Sequence, residues 1–236
     1  MYNISEWDHV FKLDPNKMIT NAALEKVCTS GTDAVIVGGT DGVTFENVAD
    51  LLERLEPYNV STVLEVSDLE AVVPGFDAYF IPLVLNSRHK KWLLDVQHQA
   101  IKEYADMIDW QDMLTEGYCV LNPEAKVYQK TDCTLPNVQD VLAYAKMAEH
   151  VFRLPVFYME YSGTYGDPEL VKKVARQCHH TTLVYGGGIR TKEQAEQMAE
   201  FADVIVVGDV IYDNLEVALE TVEATKSMKM KDGGPS

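Results

Sequence analysis

The sequence predicts a single (βα)8 barrel, and three observations carry that prediction. Eight short β-branched or aromatic runs recur along the 236 residues. Most are separated by segments of helical periodicity, and the last two runs each stop abruptly at glycine. Alternation of this kind implies a parallel sheet. A barrel of this class needs roughly 250 residues, and a chain with 47% hydrophobic residues can bury one such core.

In chain order, the first strand is expected at 10–13, ending in FKLDP, with a helix at 21–29. Strand two, 34–37, runs into a GGT turn, and an amphipathic helix follows at 45–55. Strands three and four, 62–66 and 78–82, break the rhythm. The eleven residues between them, SDLEAVVPGFD, contain Pro74 and Gly75 and are too few for a crossover helix with both its turns. A shortened or replaced third helix is therefore expected. Whether that gap serves function or is a mere shortening stays open from spacing alone. A long helix is expected over 91–107, then a strand at 117–121 and a helix at 138–150. The remaining pairs are strand 156–160 with helix 168–177, strand 182–185 with helix 192–200, and strand 204–207 with helix 215–224. The domain is taken as 1–225, leaving the basic segment 226–236 as a solvated, flexible tail. A doubly wound open sheet is the structural alternative, but the VGGTDG turn lacks the G-x-G-x-x-G spacing of a dinucleotide fold.

A formal net charge of −17 argues against nucleic acid as a partner, since duplex binding needs Lys and Arg to displace counterions from phosphates. It argues equally against adhesion to anionic lipid. The start of the chain has neither the basic residues nor the apolar stretch of a signal peptide, so a cytoplasmic location is expected. Cys28, Cys119, Cys133 and Cys178 lack CxxC spacing and read as reduced, mostly buried thiols.

The chemistry concentrates at predicted strand ends. In YGGGI, Gly186, Gly187 and Gly188 let backbone N–H groups converge on an anion, and Gly208 lets the next loop approach from the other side. Turns after the last two strands are the usual phosphate site of this barrel. Period-two alternation puts Lys12 and Asp14 on one side at the end of strand one, where a surface ion pair is the competing reading. Thr40 offers a hydroxyl at the same face. Asp14 with Thr40 would be a sparse Mg2+ site, weakly held unless substrate oxygens complete it. On strand six, Val156, Tyr158 and Glu160 share one face while Phe157, Met159 and Tyr161 share the other. Glu160 thus ends the inward row, placed to bind a hydroxyl and accept its proton, with structural ion pairing as the alternative. His179 and His180 lack metal-pair spacing, and Lys126, Tyr128 and Lys130 read as a surface loop.

Taken together, FKLDP, TDAVIVGGTDGVT, PGFDAYFIPLVLNS, FYMEYSG, YGGGI and DVIVVGD resemble the PcrB family, bacterial heptaprenylglyceryl phosphate synthases related to archaeal geranylgeranylglyceryl phosphate synthases. The resemblance runs from residue 2 to about 225. It implies transfer of a long prenyl group from a prenyl diphosphate to the C3 hydroxyl of sn-glycerol 1-phosphate, releasing diphosphate. By matching motifs, Lys12, Tyr158, Met159, Glu160, Tyr161, Ser162, Gly163, Gly188, Gly208 and Asp209 would bind glycerol phosphate. Asp14 and Thr40 would hold Mg2+, and Glu160 would orient the attacking hydroxyl. Some members of the family it resembles carry Ser in place of Thr40 and Asn in place of Asp209. A carboxylate beside phosphate is repulsive, so Asp209 is expected to offer its backbone N–H and turn its side chain away. Ala100, with Tyr104 one helical turn on, would line a prenyl groove left open by the small side chain. The resemblance further implies a homodimer and at most transient membrane contact. A phosphosugar or indole-glycerol-phosphate type of barrel, or a non-catalytic binder of phosphorylated metabolites or prenyl lipid, are the competing readings.

Overall fold

The structure, a computed structural model, describes residues 4–232. Eight parallel strands close into one barrel in sequence order: β1 His9–Leu13, β2 Ala34–Val37, β3 Ser61–Glu65, β4 Ala78–Val84, β5 Met113–Val120, β6 Val156–Glu160, β7 Thr182–Gly186 and β8 Val204–Val207. Closure is direct, because Val10 of β1 pairs with Ala34 on one side and Val206 on the other. β5 begins four residues earlier than alternation indicated, extended by its pairing with β4 from Met113 onward.

Alternation sorts the strand residues into two cores. Val10, Ile36, Val63, Phe80, Val156, Tyr158, Val184 and Val206 fill the barrel, with Trp7 packed near Phe80 below them. Phe11, Val35, Leu64, Phe157, Met159, Tyr185 and Ile205 face outward and are covered by helices.

Those helices begin where their caps demand. Thr20 opens α1 (Asn21–Thr29), Thr44 with Asn47 forms a capping box for α2 (Phe45–Leu55), and Asn137 with Asp140 does the same for α5 (Val138–Lys146). Asp167 followed by Pro168 starts α6 (Pro168–Ala175), and Thr191 starts α7 (Lys192–Ala199). Between β3 and β4 the chain makes only a 3-10 turn, Leu69–Ala71.

Three expectations are corrected. The segment 91–107 is not one helix. It is a 3-10 turn, Lys90–Trp92, then α3 (Asp95–Tyr104), then a second turn, Ala105–Met107. No residue of α3 is buried, so propensity is not reinforced by packing over the full length, and Gln97 Nε2 fastens it to Pro82 O at 2.8 Å. The helix expected over 138–150 changes winding after Lys146, where Met147–Phe152 forms a π segment that ends at the left-handed Arg153. The segment from residue 226 is not a loose tail. After a one-turn helix, α8 (Val210–Asp213), the last helix, α9, spans Leu215–Asp232. Within it, Lys226 Nζ pairs with Asp33 Oδ1 at 2.7 Å and Lys229 Nζ donates to Ala202 O at 2.6 Å. The end of the expected tail, 233–236, lies outside the described residues. Further back on α9, Thr221 Oγ1 meets Nε2 of His9 at 2.9 Å, and burial pushes that imidazole down to about 3, so it stays neutral. Cys28, Cys119 and Cys133 are buried thiols, and Cys178 is partly covered.

Candidate active site

A cleft opens at the C-terminal ends of the strands, the end at which barrels of this class carry their chemistry. Its floor is charged. Lys12 Nζ donates to both oxygens of Glu65, at 2.8 and 2.6 Å. Burial opposes the charge on Lys12, but Glu65 first and Glu160 next outweigh it and hold the ammonium above its ordinary value. Glu160 is buried, and its carboxylate accepts three hydrogen bonds. Tyr118 Oη donates to Oε2 at 2.6 Å, while the Ser162 hydroxyl, at 2.6 Å, and the Ser162 N–H both donate to Oε1. Burial first, and Glu160 next, push the Tyr118 and Tyr158 phenols well up, so both remain neutral donors. Deeper in the barrel Glu116 is fully buried with no hydrogen-bond partner on either oxygen. Burial, reinforced by Glu65, raises its pKa well above the ordinary carboxylate value and favours the protonated form.

Above this floor the cleft has two halves of opposite character. One is formed by Ser162, Gly163, Gly186, Gly187, Gly188 and Gly208, from the turns after β6, β7 and β8. Gly188 has φ +61°, and a Cβ there would lie 2.1 Å from the Thr164 carbonyl carbon, so only glycine permits the turn. The other half is lined by Val66, Pro82, Val84, Trp92 and Val96, with the 3-10 turn at 90–92 and the start of α3 as its wall.

Of the residues singled out from sequence, Lys12, Asp14, Thr40, Tyr158, Glu160, Ser162, Gly163, Gly188, Gly208 and Asp209 all line this cleft. Met159 and Tyr161 do not; their side chains belong to the outer core. Ala100 and Tyr104 lie further along α3, one and two turns beyond the cleft residue Val96, and Tyr104 is exposed. The Asp209 carboxylate accepts Lys17 Nζ at 2.8 Å, and that ammonium also sits over the Tyr212 ring, 5.0 Å from its centroid.

Glu65, Glu116 and Tyr118 escaped the sequence reading, although the alternation that marked Glu160 also turns them inward. The segment 126–130 departs from the surface loop its sequence predicts. It is a short helix, α4 (Lys126–Lys130), and Lys130 lines the cleft, with Nζ on Thr40 O at 2.7 Å.

Among the described residues no three His, Cys, Asp or Glu side chains are placed to hold a metal. Asp14 lies against the β2 turn so closely that a Cβ on Gly39 would come within 2.8 Å of its Oδ1. A carboxylate and a neighbouring hydroxyl on Thr40 are hard oxygen donors. They fit a Mg2+ ion that takes its other ligands from water and substrate.

A profile of the PcrB family matches residues 2–226. The chain belongs to that family. The PcrB assignment is supported by relatives named heptaprenylglyceryl phosphate synthase. The protein of Anoxybacillus flavithermus is 59% identical over 96% of this chain and 98% of its own length. That of Geobacillus kaustophilus is 54% identical over 99% and 98%. Among solved structures, (S)-3-O-geranylgeranylglyceryl phosphate synthase from Thermoplasma acidophilum, in complex with its substrate sn-glycerol-1-phosphate, superposes with a TM-score of 0.86. It shares 22% identity and is covered over its full length by 96% of this chain, which establishes the common fold. Tryptophan synthase of Mycobacterium tuberculosis superposes less well, at 0.57. Among the described residues, no helix is long and apolar enough to cross a membrane.

Proposed function

We propose that this PcrB chain transfers a heptaprenyl group from its diphosphate to the C3 hydroxyl of sn-glycerol 1-phosphate. The observation that carries the reading is the two-sided cleft, in which a glycine-rich polar half and an open apolar half meet over a charged floor that includes Glu160. A phosphosugar isomerase or a synthase of indole type would use the polar half and leave the apolar one without purpose.

In this reading the glycine turns at Gly188 and Gly208 receive the phosphate, together with Lys12. An ammonium has three donors, and Glu65 takes two of them, leaving one for phosphate. A carboxylate has about four acceptor sites, and three on Glu160 are filled, so one remains for the glycerol hydroxyl. Glu160 then aligns that oxygen with the prenyl carbon and takes its proton as the new C–O bond forms. The old C–O bond breaks, and its electron pair leaves with diphosphate. Asp14 and Thr40 would hold Mg2+, which neutralises charge on the leaving diphosphate when bound. The apolar half holds the donor chain, and the groove continues along α3 past Ala100 and Tyr104. The enzyme works in the cytoplasm as a homodimer, touching membrane only transiently to acquire its donor.

Radiolabelled sn-glycerol 1-phosphate incubated with Mg2+ and prenyl diphosphates of different length tests the reading. A lipid-extractable product, formed best from heptaprenyl diphosphate, is expected. Binding without turnover would instead make the chain a binder. In the same assay, Ala100→Trp should lower kcat/KM for heptaprenyl far more than for geranylgeranyl diphosphate, because each buried CH2 contributes roughly 0.8 kcal/mol and only the longer chain reaches that position. Equal slowing of both donors would remove Ala100 from the groove.

A further inference from the structure

We infer that Lys130 is a diphosphate-binding residue, which holds the leaving group of the donor from the side of the cleft opposite the glycine turns. The inference rests on the prenyl-transfer reading given above and adds a residue to it. Four cationic side chains line the cleft: Lys12, Lys17, Lys130 and Arg190. Three of them are already neutralised. Lys12 is paired with Glu65 at 2.6 Å, Lys17 with Asp209 at 2.8 Å and Arg190 with Asp213 at 2.6 Å. Lys130 pairs with no carboxylate among the described residues; its one hydrogen bond is to a backbone carbonyl, Thr40 O, at 2.7 Å. It is therefore the cation in the cleft with charge to spare.

Its placement is as telling as its charge. Ninety residues separate Lys130 from Thr40, yet α4 crosses the mouth and lays this ammonium on the β2 turn. Beside it Lys126 Nζ pairs with Asp41 Oδ2 at 3.1 Å, which anchors the same helix to the same turn. Thr40 and Asp14 are the residues that fit Mg2+, so a diphosphate held there lies within reach of Lys130. A carbonyl is a weaker partner than an anion, and Nζ can exchange or share it when diphosphate arrives. During transfer the electron pair of the breaking C–O bond moves onto diphosphate, and the ammonium meets that added charge. Glycerol phosphate, on the far side of the cleft, is out of its path.

The test is calorimetric binding of inorganic diphosphate with Mg2+ to the full chain, its Lys130→Ala and its Lys130→Arg variants, with sn-glycerol 1-phosphate as the control ligand. Loss of one charge-assisted hydrogen bond should weaken diphosphate binding by about tenfold or more in Lys130→Ala. Lys130→Arg should restore most of it, and the control ligand should bind all three proteins alike. Unchanged diphosphate binding in Lys130→Ala would overturn the inference. So would equal weakening of both ligands, since that marks a disturbed β2 turn. If the parent chain takes up no diphosphate at all, the prenyl-transfer reading fails with it. Diphosphate binding by the parent that survives the substitution removes Lys130 alone.

Discussion

Glu160 has one acceptor site left after Tyr118 and Ser162 are served, and that economy defines what its replacement should do. Glu160→Gln keeps the shape and can keep the Ser162 bonds, but an amide cannot take the hydroxyl proton. Turnover is expected to fall by about 10²-fold or more while the melting temperature stays near the parent's. Steady-state kinetics beside a thermal melt decide it. A parent-like rate would leave Glu160 a structural acceptor for Tyr118. The same scale explains Asp209. Its carboxylate is taken by Lys17, which resolves the conflict between an acid and a neighbouring phosphate.

At the scale of elements, the π segment after α5 has a purpose that helical periodicity does not disclose. It places Glu149 so that the carboxylate accepts the backbone N–H groups of His179, His180 and Thr181 just before β7. Burial opposes the ionised form, but these three donors prevail and hold Glu149 down at about 2 against an ordinary 4.5. A depressed acid stabilises the fold fully above the unfolded value of 4.5 and loses that contribution as pH falls through about 2. Glu149→Gln should therefore lower the urea midpoint at pH 7 by about half a molar. The gap between parent and variant should close as the pH is lowered from 4.5 towards 2. A gap that persists unchanged at pH 2.5 to 3 would show that packing, not the carboxylate, carries the effect.

For the whole molecule, α9 is the element that ties the end of the chain to its beginning. Thr221 holds His9, and Lys226 holds Asp33, whose other oxygen accepts the N–H groups of Asp8 and His9. Ending the chain after Thr225 removes that ion pair, the Lys229 bond to Ala202 O and the packing of Met228. A loss of about 1–2 kcal/mol, or roughly 2–8 °C in melting temperature, is expected. Scanning calorimetry of the shortened chain would contradict this by returning the parent melting temperature, the result a loose tail would give.

Eight strands, their inward faces and most helix starts are written locally, because alternation, caps and turn glycines act within a few residues. So Lys12, Asp14, Glu160 and the YGGGI turn could be placed at one end of a barrel from sequence. Thr40 was legible in the same way from the GGT turn after strand two, and the family motifs added Asp209. What tertiary structure alone decided is who meets whom. Lys12 with Glu65, Tyr118 with Glu160 and Lys130 with Thr40 are 53, 42 and 90 residues apart, and each pair exists only because the barrel closes. The upward shift of the Glu116 carboxyl was equally beyond the sequence, since it depends on three acids and one ammonium sharing one buried volume. Hydrophobic period tells a residue which way to face, but only closure of the sheet sets the charge and distance of what it faces.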